Sequence, residues 1–450
     1  MVSKPINSIS PLDGRYKNNI IALRPFFSES ALIKYRVKVE IEYLIALAKE
    51  KKIDGIGPFS IKECDKLRKI YLNFADSDAM DIKSIEKTTN HDVKAVEYYI
   101  QKKLRKSLHP WIHFCLTSED VNNISYSLMW KEAINGPYLS QLNSLNKKIK
   151  KLAKRYKSIA ILSLTHGQPA TPTTFGKELA VFYNRIERQL QQIKSQDFLG
   201  KFGGATGTWS AQITAYPKMD WIKFASRFMK SMGLKPNLIT TQIESHDAII
   251  ESYHNILRIN SILSDLSQDM WLYISRAIVK QKKIAGEVGS STMPHKINPI
   301  QFENAEGNFG ISNALLEHLS KKLSISRMQR DLTDSTTLRN QGVALGHSYI
   351  ALKGVEKGLD RIDIDKNKAM NELNSHWEVL AEPIQVAIRK SGKDGGYEEM
   401  MEASKGKQVD KDLIRAIIGK LKIPSEDKKM LLHLDPASYT GLAKKLAELI

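Results

Sequence analysis

The segment GSSTMPHKINP, residues 289–299, concentrates chemically active side chains in one short stretch. It places two serines, His295, Lys296 and Asn298 between a glycine and a closing proline. Two prolines this close together exclude a helix, and the residues do not alternate as in a strand, so we predict a loop. A loop with this many hydroxyl, imidazole, ammonium and amide groups is chemically dense and is a candidate functional segment.

His166 lies in a second polar segment, LTHGQPATPTTFGK, residues 164–177. Several helix breakers follow it, and we predict that a helix begins at Lys177. His166 would then project from the junction between two long helices, where unpaired backbone groups let a ligand approach. Imidazole titrates near neutral pH and suits general acid–base catalysis. A lone histidine is more often a satisfied core or surface residue.

The segment CLTSEDVNN, residues 115–123, has the pattern of a helix start. Thr117 and Ser118 supply hydroxyls, and two acids follow in the first turn. Simple capping explains this pattern. The alternative is an anion cradle, since free backbone N–H groups and two hydroxyls suit a carboxylate.

Three further segments carry polar residues that could bind a ligand. Each also has a plain structural explanation: a helix cap, a solvated turn or a solvated helix face. Guanidinium groups interleaved with hydroxyls are typical of phosphate sites. The candidates are Asn90, His91 and Asp92 in TTNHDVKAVEYY, Arg15 and Tyr16 in SPLDGRY, and Arg327, Arg330, Ser335, Thr336, Thr337 and Arg339 in RMQRDLTDSTTLRN.

Other chemical signatures are missing from the sequence. KFGGATG, residues 201–207, is rich in glycine but fits neither the P-loop nor the dinucleotide fingerprint, so we interpret it as a tight turn between helices. Neither a His-Glu-x-x-His motif nor paired cysteines occur, so we expect no metal site.

Apolar residues recur at helical spacing along most of the chain. Residues 237–285 contain no glycine or proline, and an apolar stripe runs through them at steps of three, four or seven. Two more stripes begin at Leu139 and Leu179. We therefore predict an all-α protein with three helical domains, namely 1–110, a central long-helix bundle at 111–362, and 363–450.

Composition limits the function classes. With 42% apolar and 26% charged residues, the chain is typical of a globular protein. It has two cysteines and neither a signal peptide nor a run of apolar residues that could span a bilayer, so we expect a cytoplasmic protein. The net charge of +19 has three explanations: nucleic-acid binding, solvated lysine-rich helix faces, or an anionic small-molecule site. Solvated faces are the favoured explanation.

Taken together, these segments resemble the aspartase/fumarase superfamily. The loop at 289–299 meets every fixed position of the superfamily pattern Gly-Ser-Ser-x-Met-Pro-x-Lys-x-Asn-Pro. His295 at the variable position, with THGQPATPTTFGK, TSEDVNN, NHDVKAVEYY and DGRY, is similar to the bacterial adenylosuccinate lyase family within it. The resemblance runs from residue 10 to about residue 385 and thins toward the C-terminus.

This resemblance implies an anti elimination that releases fumarate. The substrates would be adenylosuccinate, giving AMP, and the succinyl-aminoimidazole carboxamide ribotide of purine biosynthesis. By position, Ser290 would be the base and Lys296 would supply positive charge beside it. His166 would be the general acid, and Glu303 in QFENAEG would orient it. The loop would close over bound substrate and exclude water.

The resemblance also implies the residues that hold the substrate. The succinyl carboxylates would contact Thr117, Ser118, Gln242, Lys296 and Asn298, with Ser291 beside the base. The phosphate and ribose would contact Arg15, Tyr16, Arg330, Ser335 and Arg339. Asn90, His91 and Asp92 would line the nucleotide side, and Asn304 would lie near the loop.

The same resemblance implies a homotetramer whose active sites each draw on three subunits, with a nucleotide substrate and neither a cofactor nor a metal. Two alternatives stay open. One is another fumarate-releasing lyase such as argininosuccinate lyase, which shares the loop but not His295 or the HGQPATP segment. The other is a basic, non-catalytic nucleic-acid-binding scaffold, although Ser290, His166, Lys296 and Glu303 are all present.

Overall fold

Helices make up most of the chain. The computed structural model describes residues 5–282, 286, 293, 296–394 and 409–450. The α-helices are α1 Arg24–Phe27, α2 Glu29–Ala48, α3 Ile61–Leu72, α4 Asp76–Thr89, α5 Asp92–Lys103, α6 Ser118–Ala133, α7 Leu139–Arg155, α8 Phe175–Ser195, α9 Ser210–Ala215, α10 Trp221–Ser231, α11 Asp247–Ser275, α12 Ile300–Leu323, α13 Thr333–Leu338, α14 Gln341–Asp360, α15 Lys366–Asn374, α16 Ala381–Lys390, α17 Lys411–Lys420, α18 Ser425–His433 and α19 Ala443–Glu448. Shorter 3₁₀ or π segments are Pro5–Asn7, Ile21–Leu23, Lys106–Trp111, Ile134–Tyr138 and Trp377–Leu380.

The strands are few and short. They are β1 Ala160–Thr165, β2 Gln168–Thr174, β3 Leu199–Gly200, β4 Lys235–Pro236, β5 Val279–Gln281 and β6 Ile362–Ile364. Across the described ranges they pair as β1–β2, β3–β4 and β5–β6. The all-α prediction is therefore confirmed.

The chain folds as two compact units. The first comprises Met1–Leu142, Gln189–Ser261 and Gly307–Ala351, and the second comprises Asn143–Arg188, Ile262–Glu306 and Leu352–Ile450. The long helices α7, α8, α11, α12 and α14 contribute residues to both units and lie inside the segment predicted to form the bundle.

The apolar stripes of these helices are buried, as predicted. On α11, Tyr253, Ile256, Leu263 and Leu266 are fully buried. The stripes that begin at Leu139 on α7 and Leu179 on α8 are buried as well. The stretch without glycine or proline overestimates α11 at both ends, because residues 237–246 form bends and the helix stops at Ser275.

Aromatic side chains fill much of the first unit's core. Trp130 of α6 is fully buried, and its ring meets Tyr253 edge-on with centroids 4.8 Å apart. The indole Nε1 of Trp130 donates to the Ser252 hydroxyl at 2.9 Å. Because this buried N–H group has a partner, the large ring is placed in the core without an unpaired polar atom.

The second unit has its own apolar cluster near the C-terminus. Its buried members are Leu162, Leu373, Trp377, Val379, Leu380, Ile384, Ala387, Ile388, Ile414, Ile418, Leu421 and Leu431. Arg276 binds Glu372 through two N–H groups and donates to the Leu162 carbonyl at 3.2 Å. This pairing ties the end of α11 to α15 and to the hairpin formed by β1 and β2.

That hairpin corrects the prediction made for His166. Thr165 pairs with Gln168, so His166 and Gly167 form a two-residue turn at the tip. Both have positive φ, 52° and 74°, as this kind of hairpin turn requires. The predicted direct junction between two helices was wrong, and α8 begins at Phe175 rather than at Lys177. The dipeptide His166-Gly167, between two segments that form strands, was the signal that the sequence analysis missed.

Candidate functional site

The start of α6 organises the polar part of the first unit. Asp120 accepts a hydrogen bond from the Thr117 backbone N–H at 2.9 Å and so caps the helix. The predicted helix start is confirmed. Thr117 and Ser118 stay half-buried at this end, where their hydroxyls and the helix dipole favour a negatively charged group.

Asp120 also forms a buried ion pair that the sequence did not reveal. Its carboxylate lies 2.8 Å from the Lys201 Nζ, and both side chains are almost fully buried. Backbone N–H groups of Gly203 and Gly204 donate to the same carboxylate at 3.0 and 3.1 Å. The glycine-rich segment interpreted as a turn between helices in fact links β3 to α9 and wraps this carboxylate.

The glycine-rich loop in turn holds Gln242. The Gln242 side chain donates to the Ala205 carbonyl at 2.9 Å. Gly207 has a positive φ of 70°, and a Cβ there would lie 2.2 Å from the Thr240 carbonyl oxygen. Only glycine allows the loop to approach the chain beside Gln242 so closely.

A cluster around Arg330 brings predicted site residues together. Arg330 donates to the Ser335 hydroxyl at 3.0 Å and to the Gln242 side-chain oxygen at 3.4 Å. Its guanidinium also lies 3.1 Å from the Glu119 carboxylate and 3.8 Å from Asp334. Gln242 was predicted on the succinyl side and Arg330 on the phosphate side, yet they lie within hydrogen-bond distance.

Glu119 is the unusual titratable group of this cluster. It is 1% exposed, and burial raises its pKa from 4.5 to about 7, against the opposing effect of Arg330 and helped by Asp334. A carboxyl group that titrates near neutral pH beside a predicted substrate arginine is typical of functional sites.

A second cluster joins Asp92 to Arg339. The Asp92 carboxylate lies 2.7 Å from Arg36 and 3.3 Å from Arg339, and Arg339 also binds Glu29 at 2.9 Å. Burial acts to raise the Asp92 pKa, but Arg36 and the Val93 backbone N–H outweigh it, so the net shift is downward. Asp92 therefore stays ionised between the two arginines.

His91 and Asn90 have backbone roles at the junction of α4 and α5. The His91 Nδ1 accepts from the Lys94 backbone N–H at 3.1 Å, so His91 caps α5. Asp92 is not the cap, because it is the first helical residue. Asn90 ends α4 in the left-handed conformation that asparagine tolerates. Both side chains are exposed.

Arg15 and Tyr16 lie in a turn near the N-terminus, with the Arg15 guanidinium 6.0 Å from the Tyr16 ring centroid. Arg15 is exposed, and its turn is anchored by a small cluster of Leu12, Ile20 and Ile350.

The second unit carries the other predicted residues. His166 is exposed at the tip of the β1–β2 hairpin. Glu303 accepts a hydrogen bond from the Trp271 Nε1 at 3.1 Å, a contact that the sequence did not suggest. Lys296 is exposed, and Asn298 and Asn304 lie just before and within the first turns of α12. Ser290, Ser291 and His295 lie outside the described residues.

Sequence reasoning missed Glu119, Arg36, Lys201 and Trp271. Glu119 was visible as an acid in the first turn of a helix, which is an ordinary capping position. Arg36 lies on α2 among other charged residues, including Lys34 and Lys38, so nothing in the local sequence marked it as buried. The described residues contain no group of three or more His, Cys, Asp and Glu that could hold a metal ion. None of the described helices has the length and apolar character that crossing a membrane requires.

Comparison with known protein families identifies the class to which the chain belongs. Residues 14–310 match the family described as Lyase, and residues 326–440 match the family described as Adenylosuccinate lyase C-terminal. The chain is therefore a lyase.

Relatives that align over the full length of the chain identify its family within the lyases. The adenylosuccinate lyase of Haemophilus influenzae is 47% identical over 448 residues, 98% of both chains. That of Legionella pneumophila is 48% identical over 453 residues, 100% of this chain and 99% of the relative. The chain belongs to the adenylosuccinate lyase family, and the resemblance noted in the sequence is confirmed.

Solved structures share the fold at much lower identity. A fumarate lyase from Mesorhizobium sp. BNC1 aligns with a TM-score of 0.76 at 17% identity, covering 95% of this chain and 96% of that one. A 3-carboxy-cis,cis-muconate lactonizing enzyme from Pseudomonas putida aligns with a TM-score of 0.74 at 20% identity, covering 95% of each chain. The helical architecture thus occurs in proteins with other names and substrates.

The raised pKa of Glu119 predicts a specific pH dependence of stability. A folded-state pKa near 7, above the ordinary 4.5, gives stability that is complete below pH 4.5 and is lost as the pH rises through 7. Glu119→Gln removes this loss. We therefore expect the melting temperature of the variant, relative to that of the wild type, to be higher at pH 8 than at pH 5.5.

Glu42→Gln is the matched control for this experiment. Glu42 also pairs with an arginine, Arg68, but its pKa is lowered from 4.5, because Arg68 and Tyr71 outweigh burial. Its effect on the melting temperature should not change between pH 5.5 and pH 8. An equal pH response in both variants would contradict the shift at Glu119.

Proposed function

We propose that this chain cleaves adenylosuccinate to AMP and fumarate, and the succinyl-aminoimidazole carboxamide ribotide to its aminoimidazole carboxamide and fumarate. The observation that carries the proposal is the 47% identity over 98% of both chains with the Haemophilus influenzae adenylosuccinate lyase. The cluster of Gln242, Arg330 and Ser335 adds support, because it offers a guanidinium, an amide and a hydroxyl to an anionic substrate.

In the proposed reaction, Ser290 removes the proton from the carbon next to one succinyl carboxylate. Negative charge then develops on that carboxylate, and groups that stabilise this charge accelerate the step. Lys296 supplies a positive charge for this purpose and favours the ionised form of the serine. Thr117 and Ser118, at the positive end of α6, hold the substrate carboxylates.

The carbon–nitrogen bond breaks next, and its electron pair leaves with the nitrogen. His166 donates a proton to that nitrogen, because an unprotonated nitrogen anion is a poor leaving group. The carbon atoms keep the new double bond as fumarate, so the reaction needs no oxidant or cofactor. An exposed hairpin tip is a suitable place for such an acid, since it can enter a site formed with another subunit.

We propose that the functional form is a homotetramer in the cytoplasm, with each site built from three subunits. Large apolar side chains on the long helices support an assembly, because they are 43–51% exposed in the single chain. These residues are Val181, Trp271, Leu272 and Ile311. Within each subunit, segments 1–110, 111–362 and 363–450 would be the three helical domains. Glu303 would orient His166 across a subunit boundary.

The first test is an ultraviolet assay of purified protein with adenylosuccinate, with AMP and fumarate identified by chromatography. We expect the two products in equal amounts. Argininosuccinate, assayed in parallel, should not be cleaved. Cleavage of argininosuccinate alone would support the other fumarate-releasing activity. A folded protein that cleaves neither but binds DNA or RNA with steep salt dependence would overturn the proposal.

Ser290→Ala tests the proposed base. We expect it to keep the tetramer and substrate binding but to lose at least ~100-fold in turnover, the usual scale of losing a general base. Ser291→Ala should lose less, because Ser291 is proposed only to contact substrate. Near-normal turnover of Ser290→Ala would remove this residue from the base role.

Arg330→Ala tests the proposed phosphate contact. We expect it to raise the KM for adenylosuccinate by about tenfold or more, while inhibition by fumarate changes less. Arg68→Ala is the matched control, because Arg68 also pairs with a carboxylate in the first unit but lies outside the proposed site. Equal weakening of nucleotide and fumarate binding by Arg330→Ala would argue against a phosphate contact.

A further inference from the structure

Glu119 holds a central place among the polar groups of the first unit. Its Oε2 atom lies 3.1 Å from the Arg330 guanidinium and accepts from the Asn122 side chain at 3.4 Å. Since the side chain is 1% exposed, solvent cannot replace these partners. A buried carboxylate that is held by these two contacts restricts the position of the arginine paired with it.

The contacts of Asn122 extend this arrangement to the second arginine cluster. The Asn122 side-chain oxygen accepts from the Arg36 Nε at 2.9 Å, and Arg36, itself 2% exposed, lies 2.7 Å from Asp92. Asp92 in turn lies 3.3 Å from Arg339. A continuous chain of hydrogen bonds and ion pairs therefore runs from Arg330 through Glu119, Asn122, Arg36 and Asp92 to Arg339.

We propose that Glu119 is a positioning residue for substrate binding, which fixes the Arg330 guanidinium and, through Asn122 and Arg36, its placement relative to Arg339. This inference rests on the proposed function, in which Arg330 and Arg339 contact the nucleotide. Glu119 itself touches no substrate. It acts by keeping two arginines, on either side of α13, at a set separation for a single anionic ligand.

The surroundings of Glu119 are consistent with positioning rather than with a simple charge pair. Arg330 and Asp334 face it from α13 and the segment before it, and Lys201 contributes positive charge from the loop after β3. Asn122 contacts it from α6 itself. Ser335 accepts from the Arg330 Nη2, the nitrogen that also lies beside Glu119, and Gln242 accepts from Nη1. Several groups thus hold the guanidinium, and Glu119 is the fully buried carboxylate among them.

The test compares Glu119→Gln, Arg330→Ala and the double variant in the full-length protein, with wild-type activity on adenylosuccinate measured first. Glutamine keeps the size of the side chain but removes its charge. We expect Glu119→Gln to raise the KM for adenylosuccinate by roughly tenfold while kcat stays within about threefold. In the Arg330→Ala background, Glu119→Gln should change KM by less than about twofold, because the guanidinium that Glu119 positions is absent.

Glu42→Gln is the control. Glu42 is a second carboxylate of the first unit that pairs with an arginine, Arg68. The KM of this variant for adenylosuccinate should equal the wild-type value.

Asn122→Ala is a second probe if Glu119→Gln does not fold. It keeps the Glu119–Arg330 pair but removes the link to Arg36, and should raise KM by a smaller factor.

The possible results distinguish failure of the positioning role from failure of the proposed function. An active wild type whose KM is unchanged by Glu119→Gln and by Asn122→Ala would overturn the positioning role and leave the proposed function intact. Equal effects of Glu119→Gln with and without Arg330 would also overturn it, because Glu119 would then act independently. A wild type without activity on adenylosuccinate would instead refute the proposed function.

Discussion

The polar architecture of the first unit depends on the buried ion pair between Asp120 and Lys201. Both side chains are at most 1% exposed, so each charge would be strongly destabilising without the other. The surrounding groups complete the pairing. The Lys201 Nζ also donates to the Gly204 carbonyl at 2.8 Å, and the Lys201 backbone forms two hydrogen bonds with the Asn123 side chain. These contacts therefore hold the start of α6 and the glycine-rich loop in a fixed position relative to each other.

The ion pair and its hydrogen bonds determine where the proposed ligand-binding groups lie. Through Asp120 they fix the first turn of α6, which carries Thr117, Ser118 and Glu119. Through Lys201 they fix the loop whose Ala205 carbonyl binds Gln242. Gln242 and Glu119 both reach Arg330, so two segments far apart in sequence meet at one guanidinium. The ion pair contributes geometry to the site although neither member is proposed to touch substrate.

The local patterns of the sequence predicted much of this structure. Apolar stripes at helical spacing located the long helices, and the Thr-Ser-Glu-Asp pattern located the start of α6. Two kinds of feature escaped prediction. The β1–β2 hairpin was missed because prolines and threonines between long helices were interpreted only as breakers, and its short strands gain their stability from tertiary contacts.

Pairing between distant residues escaped for a different reason. Nothing local in Lys201 or Arg36 distinguishes them from the many solvated lysines and arginines of a chain with a net charge of +19. Their partners, Asp120 and Asp92, lie 81 and 56 positions away in sequence and are set by the tertiary fold. For the same reason, the resemblance supplied Arg330 and Gln242 as separate contacts, and only the structure placed them side by side.

The burial of Lys201 has a consequence for experiments on the intact protein. Reagents that acylate amines will modify the many surface lysines quickly, but they can reach Lys201 only when its surroundings open. The rate of labelling at this one residue, followed by peptide mass spectrometry, therefore reports the opening of the first unit around α6. A single natural side chain thus serves as a built-in probe of conformational breathing, without any engineered label.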